Sequence, residues 1–129
     1  MDRKTLLAAA IGRQFTFPAE LLEFDGNTYE IRTPTVASRS RIIAAGEVEV
    51  RGGSTKFDHA RMLARACVEC VFVPATGADG LPAKGGTERL FGDEHLAQLL
   101  ESPPGGVADV LGAAALKLMN VRADDVGKA

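Results

Sequence analysis

The apolar residues near the end of the chain recur at the spacing of an α-helix, over the longest run of this kind in the sequence. They are Val107, Val110, Leu111, Ala114 and Leu118. Residues three and four positions apart line one side of a helix, and such an apolar side must be buried against another element. The run Ala113 to Ala115 consists of small side chains, which would let a second helix approach closely. The pattern predicts a helix that ends near Asn120 and belongs to a mainly helical core.

A second helix is predicted between Asp58 and Val71. Asp58 is a favourable N-cap, because its carboxylate can accept hydrogen bonds from the free amides of the first turn. Phe57 precedes it at the offset that lets its ring pack on Met62. Pro74 lies beyond Val71 and prevents the helix from continuing.

The stretch after this helix contains many Gly and Pro residues. Pro74 to Thr87 shows no apolar periodicity, which predicts a mobile surface loop with few buried contacts. Asp93 is then a candidate N-cap for a short helix, which Pro103-Pro104 would end. The apolar face of this helix would consist of Leu96, Leu99 and Leu100.

The first half of the chain predicts a β-hairpin followed by a helix. The hairpin would extend from Phe15 and Phe17 to Ile31, with Asp25-Gly26 as the tight turn that twisted antiparallel strands prefer. Thr33-Pro34 is a helix-start signal, because Thr can cap the first amides and Pro lacks the N–H that would be unpaired there. The helix would run to about Ala45.

Three shorter features complete this half. Val36 and Ile43 would form the apolar side of the helix that starts at Thr33-Pro34, and Gly46 would end it. Glu47 to Arg51 alternates valines with charged residues, which fits either a short edge strand or a mobile loop. Asp2 to Ile11 lacks Gly and Pro and predicts a short N-terminal helix.

Length and composition indicate one domain. The chain has 129 residues, 46% hydrophobic and 25% charged, which is enough for one core. We therefore expect an α+β fold, mainly α: a small helical domain with an N-terminal β-hairpin. Residues 1–57 would form the hairpin-plus-helix part, residues 58–120 the helical part and residues 121–129 a flexible tail.

The charge pattern gives no sign of a nucleic-acid or membrane surface. Fifteen basic and 17 acidic residues are scattered along the chain and give a net charge of -2. We therefore expect no binding to DNA, RNA or a membrane. No apolar run approaches the roughly 18 residues needed to span a bilayer, and Leu6 to Ile11 is too short for a signal peptide, so a cytoplasmic location is expected.

The pair Cys67 and Cys70 is the most catalytic-looking motif. Redox pairs of this spacing normally start a helix, and a zinc site needs about four ligands. Here the pair lies in the second half of its helix, on the apolar stripe with Leu63 and Ala66. We expect both thiols to be buried, reduced and free of metal, with no cofactor.

A thiol hydrolase would need a histidine and an acid beside one cysteine. His59 and His95 both fall in the first turns of predicted helices, where solvated surface histidines are common. The glycines from Gly77 to Gly86 lack the order of a phosphate-binding loop, G-x-x-x-x-G-K-[ST]. The sequence therefore favours a non-enzymatic protein over a small thiol enzyme or metal protein.

The order of motifs in the second half resembles the tail assembly chaperones of long-tailed bacteriophages. These proteins show a helix leading to a hydrophobic patch, an Asp-containing loop, an L-F pair, an acidic helix start, a Leu-Leu pair and a closing Ala/Leu-rich helix. The corresponding residues here are Cys70 to Val73, Ala78-Asp79-Gly80, Arg89-Leu90-Phe91, Asp93-Glu94, Leu99-Leu100 and Ala113 to Asn120. The chain departs from this pattern in two places. The loop is lengthened by Leu81 to Thr87, and the segment Val48 to Ser54 has no counterpart in the pattern.

The resemblance implies a phage or prophage protein that binds the tail tape-measure protein and helps recruit tail-tube subunits, with homo-oligomers possible. Such a role needs apolar helix surface that a partner helix can reach. The candidate partner-binding residues are Leu96, Leu99, Leu100, Leu116 and Met119, the last two as flanks of the final apolar stripe. The alternative is a structural tail-completion or head–tail joining protein.

Overall fold

The computed structural model describes residues 1–12 and 18–128, with side chains for residues 1–11 and 18–119. The fold is α+β with more helix than strand, as expected. The helices are α1 (Arg3–Gly12), α2 (Val36–Gly46), α3 (His59–Cys70), α4 (Leu96–Leu100) and α5 (Val107–Lys128), with a 3-10 turn (Asp93–His95) before α4. The strands are β1 (Ala19–Phe24), β2 (Asn27–Arg32), β3 (Glu47–Glu49), β4 (Thr55–Phe57), β5 (Val71–Phe72), β6 (Ala75–Thr76) and β7 (Pro82–Ala83).

The predicted hairpin is confirmed. β1 and β2 are antiparallel, and the two turn residues between them have positive φ angles, 52° at Asp25 and 81° at Gly26. Two such residues produce the turn whose twist matches the strands. Phe15 and Phe17, also assigned to the hairpin, lie outside the described residues.

A third strand joins this sheet directly from α3. β5 pairs antiparallel with β2, with Ile31 opposite Val71. Val71 therefore has an extended backbone and is the C-cap of α3, whereas it was predicted to be the last residue of the helix. The N-cap of α3 is confirmed: the Asp58 carboxylate accepts a hydrogen bond from the Arg61 N–H at 3.2 Å.

The core forms where α3 packs between α2 and α5. Its fully buried side chains include Ile31, Ile42, Cys67, Cys70, Val71 and Leu111. The predicted close approach of a second helix to α5 is present, but it is centred on Gly112. A Cβ atom at Gly112 would lie 2.7 Å from the carbonyl oxygen of Leu63 in α3. Ala113 is exposed, and Ala115 is buried.

Helix α2 begins later than predicted. Its N-cap is Thr35, whose Oγ1 accepts a hydrogen bond from the Ser38 N–H at 3.0 Å. Thr33 instead extends the hairpin, because its N–H donates to the Pro18 carbonyl. The buried side also differs from the prediction: Val36 is exposed and Ile43 is half-buried, whereas Ile42 is fully buried in the core.

Of the two possibilities for the segment after α2, the edge strand is correct. β3 pairs antiparallel with β4. Farther along the chain, Asp93 is not the N-cap of α4 that was predicted. It is the first residue of the 3-10 turn, whose N-cap is Gly92. Helix α5 continues to Lys128, past the predicted end near Asn120.

The segment from Pro74 to Thr87 lies at the surface with few buried residues, as predicted, and Gly86 is its one buried residue, but it is not irregular throughout. β6 pairs with β7 inside this segment. Farther along, the backbone N–H groups of Gly85 and Gly86 donate to the carboxylate of Glu30, which is 1% exposed. The Gly85-Gly86 end of the segment therefore lies against the outer face of the hairpin sheet and is held there by hydrogen bonds to a buried charge.

Candidate functional site

The residues predicted to bind a partner on α4 and α5 are mostly covered. Leu99 and Leu116 belong to the core, Leu116 at 8% exposure, and Leu96 and Met119 are half-buried against it. Leu100, at 44% exposure, remains accessible. The exposed flank predicted at Leu116 is wrong, because α5 contacts β2 and α4 as well as α3. These contacts bury a wider stripe than one helix partner would.

Helix α1 carries a group of apolar side chains that are open to solvent. All side chains from Met1 to Ile11 are exposed, including Leu7 at 46% and Ile11 at 49%. Leu7 and Ile11 are four residues apart and lie on one side of the helix. Asp2 directly precedes the helix, and its carboxylate accepts a hydrogen bond from the Thr5 N–H at 2.8 Å, a contact that lowers the pKa of Asp2.

The two cysteines are buried, as predicted, and are not bonded to each other. Burial raises the pKa of each thiol to about 12. Cys67 Sγ lies 3.8 Å from the carbonyl oxygen of Ala108 in α5. Both groups therefore stay neutral near pH 7 and pack as small apolar side chains, whereas a nucleophile or metal ligand would need the thiolate.

Among the described residues, the contacts of His95 are local. His59 is the first residue of α3 and is exposed. His95 Nδ1 accepts a hydrogen bond from the Gly92 N–H at 2.9 Å, and its ring meets Phe91 edge to face. Within residues 1–12 and 18–128, no cluster of three His, Cys, Asp or Glu side chains could hold a metal ion.

A groove that the sequence did not predict lies on the sheet face away from the core. Glu30 pairs with Phe72 across the sheet, and Phe72 forms a bridge with Arg89. Arg32 follows two residues after Glu30 and so projects from the same face. The groove has a volume of about 950 Å³; the segment from Thr33 to Ser38 also lines it, as do Lys84 and Gly85.

The carboxylate of Glu30 holds one wall of the groove to its floor. It accepts hydrogen bonds from the Gly86 N–H at 2.9 Å and the Gly85 N–H at 3.1 Å, and an ion pair from Arg32 Nε at 3.0 Å. Burial alone would raise the pKa of Glu30, but these donors outweigh it, and the pKa is lowered. Glu30 is therefore ionised near pH 7.

Glu69 also lines the groove, and arginines from several segments compensate its negative charge. Arg41 of α2 donates to it at 2.8 Å, and Arg65 of α3 at 3.4 Å. Arg65 also pairs with Asp93 at 2.8 Å. Burial would raise the pKa of Glu69, but the hydrogen bond from Arg41 helps to lower it. This network ties α2, α3 and the 3-10 turn together.

Two arginines flank one aromatic ring on the groove floor. The guanidinium carbon of Arg32 lies 4.1 Å from the ring centroid of Phe72, and that of Arg89 lies 5.7 Å from it. Cations near an aromatic face are attracted by its electron density. The alternation of Glu30 and Arg32 along β2 was the sequence signal for this face, but their neighbours come from strands and loops far away in the sequence.

Comparison of the chain with models of known protein families, with curated proteins and with solved structures found no match. No helix in the described part of the chain is long and apolar enough to cross a bilayer.

Proposed function

We propose that the protein is a phage or prophage tail assembly chaperone. It would bind the tail tape-measure protein in the host cytoplasm, keep it soluble and help recruit tail-tube subunits, without catalysing a reaction. The observation that carries the proposal is the exposed apolar side of α1, which supplements the motif order of the second half.

An exposed helix of this length has little to stabilise it alone. α1 has ten residues, and isolated helices shorter than about 12–15 residues are marginal in water. Leu7 and Ile11 offer an apolar stripe that another helix can cover. Recognition of a helix by an apolar helix face is a common mode of partner binding. A long helical tape-measure protein would supply such a face.

The binding role suits this chain better than the thiol-enzyme alternative. A thiol nucleophile must lose its proton near neutral pH, whereas burial raises the pKa of both Cys67 and Cys70. Neither cysteine nor either histidine lines the groove on the sheet. A permanent tail-completion or head–tail joining protein would also act through protein contacts. Experiment must distinguish that alternative from a chaperone.

The test is co-expression with the tape-measure protein of the same phage, followed by affinity capture of the complex. We expect the wild-type chain to keep the tape-measure protein soluble and to co-purify with it. Leu7→Asp and Ile11→Asp should reduce the captured amount strongly, because each places a charge in the apolar contact.

Ala9→Asp is the matched control, since Ala9 lies on the opposite side of α1. All three variants should keep the circular dichroism and thermal midpoint of the remaining domain, because the side chains of residues 1–11 are all exposed. Normal capture by both Leu7→Asp and Ile11→Asp would show that α1 is not the partner surface. Absence of any complex with the wild-type chain would refute the chaperone role.

A further inference from the structure

We infer that the groove on the outer face of the sheet binds an extended, acidic segment of a partner protein, through Lys84, Arg89 and Phe72. The inference does not depend on the tail-assembly role. Three features of the groove support it: the accessible positive charges, the ion pairs that already neutralise the buried carboxylates, and the apolar side chains beside them.

The accessible charges of the groove are positive. Its two carboxylates, Glu30 and Glu69, are buried and already hold hydrogen-bond donors. Much of the compensation of Glu69 comes from Arg41 and Arg65, which do not line the groove. Of the groove cations, Arg32 pairs with Glu30, whereas Lys84 and Arg89 are not the main partners of either acid.

Two cations remain available for a ligand. Arg89 is half-exposed, and its Nη2 lies 4.0 Å from Glu69, the longest of the three arginine contacts to that carboxylate. Lys84 is exposed and has no acidic partner within 4.0 Å among the described residues. Both residues line the groove. Carboxylates are the complementary groups on a partner protein.

Apolar groups line the groove as well as these cations. The Phe72 ring is on the floor, and the Val36 side chain, 85% exposed, is on the wall formed by the start of α2. A small inorganic anion would leave this apolar surface uncovered. In an extended peptide, successive side chains point to opposite sides. Inside a groove, acidic side chains on one side can meet the cations while apolar side chains on the other side meet the apolar surface.

The groove is large for the site of a single small molecule. Its volume of about 950 Å³ is near the upper end of the range for small-ligand sites, roughly 300–1,000 Å³. We therefore assign the occupant as a partner segment in which Glu or Asp residues accompany apolar residues. The ion pairs would set its position, and the contact with Phe72 would add apolar burial.

The experiment measures fluorescence polarisation of a labelled peptide in which glutamate alternates with valine. We expect binding to the full chain at low ionic strength and weaker binding as salt is added. Lys84→Glu and Arg89→Glu should each weaken binding by about fivefold or more, because each replaces an attraction by a repulsion. Arg51→Glu, in the turn between β3 and β4, is the matched control and should change binding less than twofold.

Circular dichroism shows whether each variant is folded. If Arg89→Glu unfolds through its contact with Glu69, Lys84→Glu decides the matter, because its side chain is exposed. Unchanged affinity in Lys84→Glu, or no binding by the wild-type chain, would overturn the inference. Equal binding of a lysine–valine peptide would also overturn it, as would displacement of the probe by inorganic phosphate or by a single-stranded oligonucleotide at lower concentration than by unlabelled peptide.

Discussion

Replacement of Gly112 by alanine tests the helix packing at the centre of the fold. Within an exposed helix this change is stabilising, because alanine has a higher helix propensity by about 1 kcal/mol. At Gly112 the added Cβ would lie 2.7 Å from the Leu63 carbonyl oxygen and 3.1 Å from the Leu63 Cα. These are backbone atoms of α3, so no side-chain rotation can make room. The structure therefore predicts a change of the opposite sign.

The magnitude follows from two opposing terms. Overpacking of a closely packed interior costs about 1–3 kcal/mol. The contact with Leu63 involves backbone, and α3 also carries Cys67 and Cys70 of the core, so a cost near the upper end is expected. After the gain in propensity of about 1 kcal/mol, a net loss of about 1–2 kcal/mol remains.

The assay is urea and thermal unfolding followed by circular dichroism. A net loss of this size would lower the thermal midpoint by several degrees, at about 3–6 °C per kcal/mol for a domain of this size. Ala113→Gly, at the exposed neighbouring position, measures the local propensity term alone. A Gly112→Ala variant that is as stable as the wild-type chain, or more stable, would refute the close packing of α5 on α3.

Three further predictions concern buried groups. Glu30→Gln should destabilise the fold by about 1.5–3 kcal/mol near pH 7, because hydrogen bonds to a charged acceptor are lost. The pKa of Glu30 is lowered in the folded state, so its contribution is present above the unfolded value of about 4.3 and disappears as the pH falls through the folded value. Urea unfolding near pH 7 and near pH 3 checks this, and an equal wild-type–variant difference at both would contradict it. Leu111→Asp and Leu116→Asp should both unfold the domain by circular dichroism, because each buries an unpaired charge; a folded Leu116→Asp variant would show that this side chain is accessible. Cys67 and Cys70 should react with a thiol reagent only after unfolding, and rapid labelling in the native state would contradict their burial.

Signals between neighbouring residues predicted the fold best. The Asp25-Gly26 turn and the Asp58 cap depend on contacts within three or four residues, and both are present in the structure. Cys67 and Cys70 were placed correctly because their spacing puts them on an apolar stripe of α3. The start of α2 was misplaced because Thr33 and Thr35 are both possible caps, and the pairing of Thr33 with Pro18 decides between them.

Contacts between distant segments could not be predicted in this way. Glu30 and Gly86 are 56 residues apart, and neither shows by itself that a buried carboxylate binds the backbone of a glycine-rich segment. The groove depends on β5 joining β2, which brings Phe72 and Arg89 beside Arg32. Leu116 was placed on an open flank because the sequence does not show how many elements contact α5.

The measurement that tests the proposed function most directly is the location of this protein during infection or prophage induction. Quantitative mass spectrometry of affinity-purified complexes from the lysate, and of purified mature tails, would follow both this chain and the tape-measure protein. The chaperone role predicts a complex of the two in the lysate and no copies of this chain in finished tails. A fixed number of copies in mature tails, or no association with the tape-measure protein in the lysate, would contradict it.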